Sequence, residues 1–392
     1  MGQSRTPEQH VDAVKALVGR RPQVSLSPVE ALGRALSRDV VSPGDSPAFD
    51  NSQMDGYALG EAHLAGGSFT VGPSVAAGAD PDAAVPEGIG QQIIAIMTGA
   101  KLPRGTRAVV PVERCRPPEF IEEGPVMVPA TQRGQFVRRR GSDIREGAVL
   151  FEAGHVVNAR TVAACALLGV DVLPVERPAS IVVCTGGDEV GGAGAASIPD
   201  ANGPLIESMA ADARIEVTAR ISTPDDPSTL RARLEEAVAK HSPDAVVTSG
   251  GISHGKREVV RQVLEPTGGW FGHVSQQPGG PQGLSSFKGT PVISLPGNPV
   301  STAVSFRLFV APVLGHAPGT IRAELAAPVR GIEGRDCFYR GVLEFDKARA
   351  VARVLEGAGS HLIAQSAAAT CLIRIPASAD YQAGESVAVY PW

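Results

Sequence analysis

Two adjacent carboxylate residues, Asp188 and Glu189, follow a glycine pair directly after a short apolar segment. Two other polar loops that contain glycine, 249–253 and 296–299, also follow apolar segments. Glycine lets the backbone approach a ligand closely and present its N–H groups to an anion. Mg²⁺ held by the two carboxylates would offset their repulsion of a phosphate. These residues therefore predict a site for a phosphate-bearing ligand and Mg²⁺.

The same residues also have ordinary structural explanations. Glycine-rich strand ends are common turns, and Asp188 or Glu189 can cap a turn or face solvent. Asp200 and Asn202 precede a helix-like segment, where capping of the helix N-terminus is the default role. Three such loops in series nevertheless favour one ligand site over three unrelated turns.

Two other classes of catalytic motif are incomplete or missing in the sequence. Residues 250–256 match G-x-x-x-x-G-K, but Arg257 stands where a nucleotide-binding P-loop needs Ser or Thr to hold Mg²⁺. The eight histidines contain no H-E-x-x-H, and the five cysteines never adopt a metal-binding spacing. These patterns argue against a P-loop nucleotidase and a zinc hydrolase.

Short apolar segments alternate with amphipathic helices over residues 178–318. Leu230, Leu234 and Val238 recur at the spacing of one helix face. This alternation predicts a parallel sheet with helices on both faces, which is a three-layer α/β domain. The carboxyl ends of parallel strands share one edge of such a sheet, and the three loops would meet there. The predicted strands are 180–184, 244–248 and 291–295.

The remaining segments predict smaller parts of a multidomain α/β fold. Residues 1–42 and 144–177 are helix-like, with a capped helix start predicted at Ser27. Between them, residues 43–143 contain short β-like segments broken by Pro and Gly, which predicts an inserted β-rich domain. Residues 319–392 return to β-like segments, and we expect a small C-terminal β domain there.

The 392-residue chain carries 36 Lys and Arg against 41 Asp and Glu, a net charge of −5. This balance argues against a general binder of nucleic acids or anionic membranes. The sequence has no apolar segment near the about 18 residues that a membrane helix needs, and no signal-peptide pattern at its start. Together with the scattered cysteines, these features predict a soluble cytoplasmic protein with no nucleic-acid or membrane partner.

Six motifs follow one another along nearly the whole chain. They are D-N-S-x-M-D-G-Y-A at Asp50–Ala58, T-G-A-x-L-P at Thr98–Pro103, R-x-x-G-x-D at Arg138–Asp143, G-D-E at Gly187–Glu189, S-G-G-I-S-x-G at Ser249–Gly255 and L-P-G-N-P-V-S at Leu295–Ser301. In type and order they resemble the motifs of the molybdopterin molybdenumtransferase family, which includes the bacterial MoeA proteins and the gephyrin E domain.

The resemblance implies a fold of four parts: a helical domain, an inserted β-rich domain, a three-layer α/β domain and a C-terminal β barrel. It also implies a homodimer, in which the α/β domain of one subunit faces the inserted and C-terminal domains of the other. The implied activity cleaves adenylylated molybdopterin, inserts molybdate into its dithiolene and releases AMP. The molybdopterin adenylyltransferase that acts upstream is a further implied partner.

The implied site residues follow from the motifs position by position. Asp188 and Glu189 would hold Mg²⁺ or orient water. Asp55 and Asp143 would be catalytic residues that, with Thr98, complete the site from the partner subunit. The implied ligand-binding residues are Thr98, Gly187, Asn202, Gly250, Gly251, Ser253, Glu258, Pro296, Gly297, Asn298, Pro299, Ser301, Arg335, Arg340 and Ser360.

The chain departs from the family pattern at several positions. The family's P-G-K-P segment, commonly preceded by another Lys, reads Gln277-Pro278-Gly279-Gly280-Pro281 here, so two positive charges are absent. Either Lys256, Arg257 or Lys288 supplies the charge in an active enzyme, or the chain is a divergent paralogue that binds a pterin or nucleotide, or scaffolds a partner. The carboxylate pair and the Asp55 loop favour the enzyme. The other departures are Arg107 for an acid, Glu258 for a shorter acid, and Ala358 and Thr370 for Gln and Asn.

Overall fold

The computed structural model describes residues 4–122, 124–186, 198–223, 226–252, 258–346, 349–355, 359 and 362–392. The chain forms two compact units: Gln23–Glu176, and Met1–Pro22 together with Arg177–Trp392. Among the described residues, every helix is too short or too polar to cross a membrane.

The unit Gln23–Glu176 contains the β-rich region expected from the sequence. Strand Gly56–Leu59 pairs antiparallel with Ile94–Ile96 on one side and with Ala108–Pro111 on the other. Tyr57 is fully buried in the core beside this sheet. The other strands are Gln23–Leu26, Val40–Val41, Asn51–Ser52, Gly67–Thr70, Pro125–Val128, Val137–Arg138, Val149–Phe151 and Leu173–Glu176, and the helices are Glu61–His63 (3₁₀), Pro81–Ala84, Val112–Arg114 (3₁₀) and Ala159–Leu168.

The helix Ala159–Leu168 lies within residues 144–177, which the sequence predicts to be helix-like. The side chain of Asn158 accepts hydrogen bonds from the backbone N–H groups of Arg160 and Thr161 and so caps the helix N-terminus. Gly169, in the left-handed conformation with φ 71°, ends the helix.

The prediction of a helix that starts at Ser27 is wrong. Glu30 does accept hydrogen bonds from the backbone N–H and the hydroxyl of Ser27, as in a helix cap. However, the chain makes only a short turn, and Gly33 ends it by donating its N–H to the carbonyl of Val157. The strand Gln23–Leu26 precedes this turn. The capping pattern therefore closes a turn, because pairing with distant backbone replaces further helical hydrogen bonds.

In the other unit, a six-stranded sheet forms the centre of the α/β domain. Four neighbouring strands are parallel, and two more continue the sheet in the antiparallel direction. The antiparallel extension corrects the expectation of a parallel sheet: Lys288 and Gly289, both with positive φ, form a two-residue hairpin turn. The strand order is Glu216–Ser222, Ser180–Thr185, Ala245–Ser249, Thr290–Leu295, Pro281–Phe287 and Trp270–His273.

Helices cover both faces of this sheet, which confirms the three-layer prediction. On one face, Ile181, Val183 and Ile293 pack with residues of the N-terminal helix and of two helices that follow sheet strands. On the other face, Val182 and Val246 pack with the remaining helices. The first set of helices is Pro7–Val18, Asn202–Asp212 and Pro299–Ser305, which continues as the π-helix Phe306–Val310 and the helix Ala311–Leu314; the second is Pro227–His241 and Val259–Leu264, followed by the 3₁₀ helix Glu265–Thr267.

The C-terminal region is a closed five-stranded barrel. Going round it, the strands are Asp336–Asp346, Arg349–Val354, Ile321–Leu325, Ser386–Pro391 and Cys371–Ile375, and the last pairs back with the first. A short strand of the α/β part, Gln276–Gln277, pairs in parallel with Asp336 and Cys337 at the barrel's first strand. The smaller elements are Val329–Arg330, Ile363–Ser366 and Asp380–Tyr381.

Candidate functional site

The three glycine-bearing loops begin at one edge of the α/β sheet. Thr185, Ser249 and Leu295 are the last residues of three adjacent parallel strands. Thr185 pairs with Ser249, and Ser249 pairs with Leu295. Because neighbouring strands lie about 4.8 Å apart, the three loops start within about 10 Å of one another. The convergence predicted from the sequence is therefore present in the structure.

Close backbone contact explains why glycines occupy these loops. A Cβ atom on Gly297 would lie 3.1 Å from the Cα of Gly250, so a side chain there would crowd the neighbouring loop. Gly250 and Gly251 have φ values of +92° and +69°, a region that L-residues rarely adopt. The loops are therefore packed backbone against backbone, and their peptide groups form the surface at the sheet edge.

Thr302, in the helix that follows the third loop (296–299), holds that loop in place. It is fully buried, and its hydroxyl contacts the carbonyls of Pro296 at 2.7 Å and Asn298 at 3.1 Å. The side-chain amide of Asn202 donates to the carbonyl of Gly297 at 2.7 Å, which ties the loop to the helix after the first strand. Ser249 adds a hydroxyl bond to the Pro296 carbonyl. Asn202 thus holds the loop, and sequence reasoning did not find Thr302.

Asp200 is an anchoring carboxylate at the base of the first loop. It accepts hydrogen bonds from the N–H groups of Asn202 and Gly203, from the Thr185 hydroxyl and from Arg220. Burial alone would raise its pKa, but the bonds from Gly203, Thr185 and Arg220 outweigh burial and lower the pKa below its usual range. Because its oxygens already have these donors, Asp200 acts as the predicted helix cap.

Asn298 brings an unsatisfied acceptor to the third loop. It lies directly before the helix Pro299–Ser305, and its buried side-chain oxygen has no hydrogen-bond partner among the described residues. Buried polar atoms in proteins are nearly always paired, so an unpaired one at a loop suggests that a ligand or water donates to it. Ser301 is buried in the first turn of the same helix.

Several predicted site residues lie outside the described residues: Gly187, Asp188, Glu189, Ser253 and Ser360, together with Lys256 and Arg257. Within the described ranges, His, Cys, Asp and Glu side chains form no group of three suited to a metal ion. Carboxylate oxygens such as those of Asp188 and Glu189 are hard donors of the kind that Mg²⁺ prefers, and so is the amide oxygen of Asn298 in the third loop.

Glu258 lies at the end of the second loop. It is half-buried and directly precedes the helix Val259–Leu264, without donating or accepting a side-chain capping bond. Its backbone carbonyl accepts from Gln262 in the first helical turn. The structure thus places Glu258 at the border of the loop but gives it no capping role.

A small cleft lies between the α/β part and the barrel. Its walls include Gln277 and Pro278 of the altered P-G-K-P segment and Tyr339 and Arg340 of the barrel. Arg340 is only 5% exposed, and its guanidinium donates to the carbonyl of Leu362 at 2.7 Å. Burial raises the pKa of Tyr339 to about 12, with Cys337 as a further cause, so this phenol stays a hydrogen-bond donor.

Arg335, the other predicted arginine of this region, is exposed and is not among the cleft's described lining residues. It lies in the turn before the barrel strand Asp336–Asp346, next to Ile332. Of the two predicted arginines, the structure therefore brings Arg340 to the cleft and leaves Arg335 at the surface.

Two glutamines hold the segment 277–280 in place. The side-chain amide of Gln282 donates to the carbonyl of Gly279 at 2.8 Å and to the hydroxyl of Ser305 at 2.7 Å. The amide of Gln276 donates to the carbonyls of Pro278 at 3.1 Å and Gly279 at 3.3 Å. Both glutamines are 1% exposed. Sequence reasoning missed them, because their contacts depend on how the loop folds back on itself.

Lys288 cannot supply a charge to the three loops. Its ammonium group lies 3.2 Å from Glu235, at the hairpin turn before strand Thr290–Leu295. The loop 296–299 follows the other end of that strand, about 16 Å or more away at 3.3 Å per residue. The suggestion that Lys288 replaces the missing lysine charge is therefore wrong, because Lys288 lies at the opposite edge of the sheet.

In the unit Gln23–Glu176, Asp55 and Thr98 are in direct contact. The Asp55 carboxylate accepts the backbone N–H of Thr98 at 2.6 Å, and this bond lowers the pKa of Asp55 below its usual range. Both residues are exposed. Asp143, also exposed, accepts instead from the hydroxyl of Ser46 at 3.1 Å. Two of the motifs thus meet in one small polar cluster.

Arg107, which replaces an acid of the family pattern, has an acidic neighbour. Its guanidinium lies 3.3 Å from the carboxylate of Glu61, and both side chains are about half exposed. An exposed ion pair of this kind contributes little to stability. The exchange of an acid for a base is therefore accommodated locally.

Three family descriptions match successive parts of the chain. "MoeA N-terminal region (domain I and II)" matches residues 5–169, "Probable molybdopterin binding domain" matches residues 182–316, and "MoeA C-terminal region (domain IV)" matches residues 322–392. Together they cover most of the sequence, in the order in which the structure arranges its parts.

Relatives and solved structures agree with this match over the full length. "Molybdopterin molybdenumtransferase 2" of Mycobacterium tuberculosis is 30% identical over 397 residues, which covers 95% of each protein. "Molybdopterin molybdenumtransferase" of Haemophilus influenzae is 28% identical over 389 residues, 93% of this chain and 92% of that protein. A crystal structure of the molybdopterin biosynthesis MoeA protein of Pyrococcus horikoshii superposes with a TM-score of 0.79 at 27% identity, over 99% of both chains. A second structure, from strain OT3, gives 0.78 at 22% identity over the whole of both chains and supports the fold.

Proposed function

This chain belongs to the MoeA family of molybdopterin molybdenumtransferases, and we propose that it cleaves adenylylated molybdopterin, inserts molybdate into the dithiolene and releases AMP. It is thus a transferase of molybdenum cofactor biosynthesis. The observation that carries the proposal is the meeting of three glycine-bearing loops at one sheet edge, which begins with the register Thr185–Ser249–Leu295.

The pyrophosphate of the substrate would bind at this edge. Peptide N–H groups of these glycine-bearing loops would donate to phosphate oxygens; that of Gly250 already donates to the carbonyl of Leu295. The helix that starts at Pro299 and continues to Leu314 points its N-terminus at the same loops, where a negative charge is favoured. Thr302 and Asn202 keep the loop rigid, so the donors are in place before the substrate arrives.

Mg²⁺ is the cofactor of this proposal. Asp188 and Glu189 would hold it, and its chemistry when bound would be to offset the negative charge of the pyrophosphate. The chain's own groups would do the remaining work. The unpaired oxygen of Asn298 would accept a hydrogen bond from substrate or water, and the loop amides would bind the departing AMP phosphate.

Molybdate would bind near the cleft between the α/β part and the barrel. Arg340 lines that cleft as a buried cation, and Tyr339 offers a phenol that remains protonated. Gln277 lines the cleft where the family commonly has lysine, so it offers an amide in place of a charge. Arg335 and Ser360 remain proposed ligand residues by the family pattern alone.

We further propose that the protein works as a homodimer. Asp55, Thr98 and Asp143 belong to the unit Gln23–Glu176, and in the proposed assembly they reach the loops of the partner subunit. Asp55 and Asp143 would then act on the substrate together with Asp188 and Glu189. The substrate would come from a molybdopterin adenylyltransferase acting upstream, in the cytoplasm.

An assay of AMP release tests the proposal. Purified protein is mixed with adenylylated molybdopterin and Mg²⁺, with and without molybdate. AMP is then quantified by chromatography, and the cofactor by its ability to activate an apo-molybdoenzyme. The proposal predicts catalytic AMP release and an active cofactor that depends on molybdate. The alternative, a paralogue that only binds or scaffolds, predicts binding of the substrate without AMP release. Tungstate in place of molybdate shows which oxyanion the site accepts.

A further inference from the structure

The imidazole of His273 lies directly over Gly280. A Cβ atom built on Gly280 would come within 2.2 Å of Cε1 and 2.5 Å of Nε2 of His273. The imidazole therefore occupies the space in which any side chain at position 280 would begin. His273 itself is exposed, whereas Gly280 beneath it is buried.

The loop that carries Gly280 is held too firmly to avoid this contact. The carbonyl of Gly279 accepts from the amides of both Gln276 and Gln282. The carbonyl of Gly280 accepts from the N–H of Val274 at 2.7 Å, and His273 pairs with Pro281 in the sheet. These bonds place the backbone of Gly280 and that of His273 side by side. The position of the imidazole is thus a consequence of the loop's fold.

This loop forms one wall of the cleft that contains Arg340. Gly280 follows Pro278, a residue of that wall, by two positions, which is at most about 7 Å along the chain. Among the described residues that line the cleft, Arg340 is the basic one. An oxyanion at this loop would gain a second donor from the imidazole, since a histidine ring donates an N–H in either protonation state.

We propose that His273 is a substrate-binding residue: its imidazole binds an oxyanion of the substrate at the 277–280 loop, from the space over Gly280. The inference rests on the proposed function, because it takes the anion to be either molybdate or a phosphate of adenylylated molybdopterin. His273 takes the place of the basic side chain that the family pattern has at position 280.

Four variants test the proposal: His273→Ala, Gly280→Lys, the double variant and His316→Ala. His316 is another exposed histidine, outside the loops, and serves as the matched control. Binding of adenylylated molybdopterin is measured by calorimetry, and the KM for molybdate by AMP release. Thermal unfolding shows that each variant is folded.

We expect His273→Ala to raise either the dissociation constant for adenylylated molybdopterin or the KM for molybdate by roughly tenfold. A hydrogen bond to a charged group contributes about that much to binding. A change in KM for molybdate identifies molybdate as the anion, and a change in the calorimetric affinity identifies the phosphate. The double variant should recover most of the loss, because removal of the ring frees the space for lysine. His316→Ala should match the parent.

The proposal is overturned if His273→Ala keeps both the parental affinity for adenylylated molybdopterin and the parental KM for molybdate. A loss that the double variant does not recover at low salt also overturns it, because the imidazole would then act through packing and not through charge or hydrogen bonding. If the parent itself neither binds the substrate nor releases AMP, the proposed function fails, and this inference fails with it.

Discussion

The carboxylate of Asp55 accepts a hydrogen bond of 2.6 Å from the backbone N–H of Thr98, 43 residues further along the chain. The bond joins two of the family's motifs. It also keeps Asp55 ionised, since it lowers the pKa of the carboxyl.

Asp55→Asn should remove catalysis while leaving the fold intact. The amide oxygen of Asn can still accept the Thr98 N–H, so only the charge is lost. We expect kcat for AMP release to fall by about 100-fold or more, as for other positioned acid–base groups, with little change in the melting temperature. Asp171→Asn, an exposed aspartate elsewhere in the same unit, is the control. Parental turnover in Asp55→Asn would exclude a catalytic role.

Asp188→Asn and Glu189→Gln should each abolish pyrophosphate cleavage with only a modest loss of substrate affinity. Carboxylates that hold a metal ion or orient water act mainly on the transition state. Calorimetry and AMP release, both at saturating Mg²⁺, separate the two effects. If both variants keep near-parental turnover, the carboxylates are structural.

The shared active site predicts complementation between two inactive variants. Asp55→Asn and Asp188→Asn would damage opposite sides of each site in the proposed dimer. After subunits exchange in an equal mixture, half of the dimers are mixed, and each mixed dimer has one intact site. We therefore expect about a quarter of the parental activity. Activity that stays at the level of the single variants, or light scattering that gives a monomer active in AMP release, contradicts the shared site.

Thr302→Val should destabilise the third loop. The change keeps the side-chain volume but removes the hydroxyl that contacts the carbonyls of Pro296 and Asn298. Both carbonyls keep a second donor, the Ser249 hydroxyl and the Thr302 N–H, so loss of the hydroxyl should lower the free energy of unfolding by about 0.5–1.5 kcal/mol, as measured by urea denaturation. Thr70→Val, at an exposed strand position, should change it little. Equal stability of the two variants would show that the hydroxyl contributes nothing.

His10 should make the protein less stable in weak acid. Its ring is fully buried between Trp270 and Phe309, and within the described part of the chain Nε2 has no hydrogen-bond partner. Burial, with the nearby charge of Arg5, lowers its pKa from 6.5 to about 3. Below pH 6.5, His10 is protonated in the unfolded chain but stays neutral in the folded chain. The free energy of unfolding therefore falls as the pH falls, until the pH reaches the folded-state pKa.

The expected loss is about 2 kcal/mol between pH 6.5 and pH 5. His10→Phe keeps an aromatic ring and removes the titrating group. The difference in unfolding free energy between parent and variant should therefore shift with pH by that amount in urea titrations. A difference that stays constant from pH 7 to pH 5 would contradict the pKa assignment.

The sequence was enough to predict the sheet edge at which the loops meet. The strands 180–185, 245–249 and 290–295 are short, largely apolar segments, each followed by a loop that contains glycine, and the carboxyl ends of parallel strands share one edge. The strands Glu216–Ser222, Trp270–His273 and Pro281–Phe287 were missed, because their polar or glycine residues hide the pattern.

The tertiary contacts within the site could not be predicted in this way. The amide of Gln282 donates to Gly279 and to Ser305, which lies 23 residues away. The hydroxyl of Thr302 contacts the carbonyls of Pro296 and Asn298, and these contacts depend on the tertiary fold. Glutamine and threonine carry no charge or motif that would single them out. The space over Gly280 is filled by His273, and only coordinates reveal such an overlap.

The short parallel pairing of Gln276 and Gln277 with Asp336 and Cys337 makes the cleft loop a partner of the barrel sheet as well as of the α/β sheet. The boundary near residue 318 therefore separates two folds but not two interchangeable modules. A chimera that exchanges the C-terminal region with that of a relative has to recreate this backbone pairing, or the loop loses the template that orders it. Segments 270–282 and 335–340 should consequently be exchanged as one recombination unit.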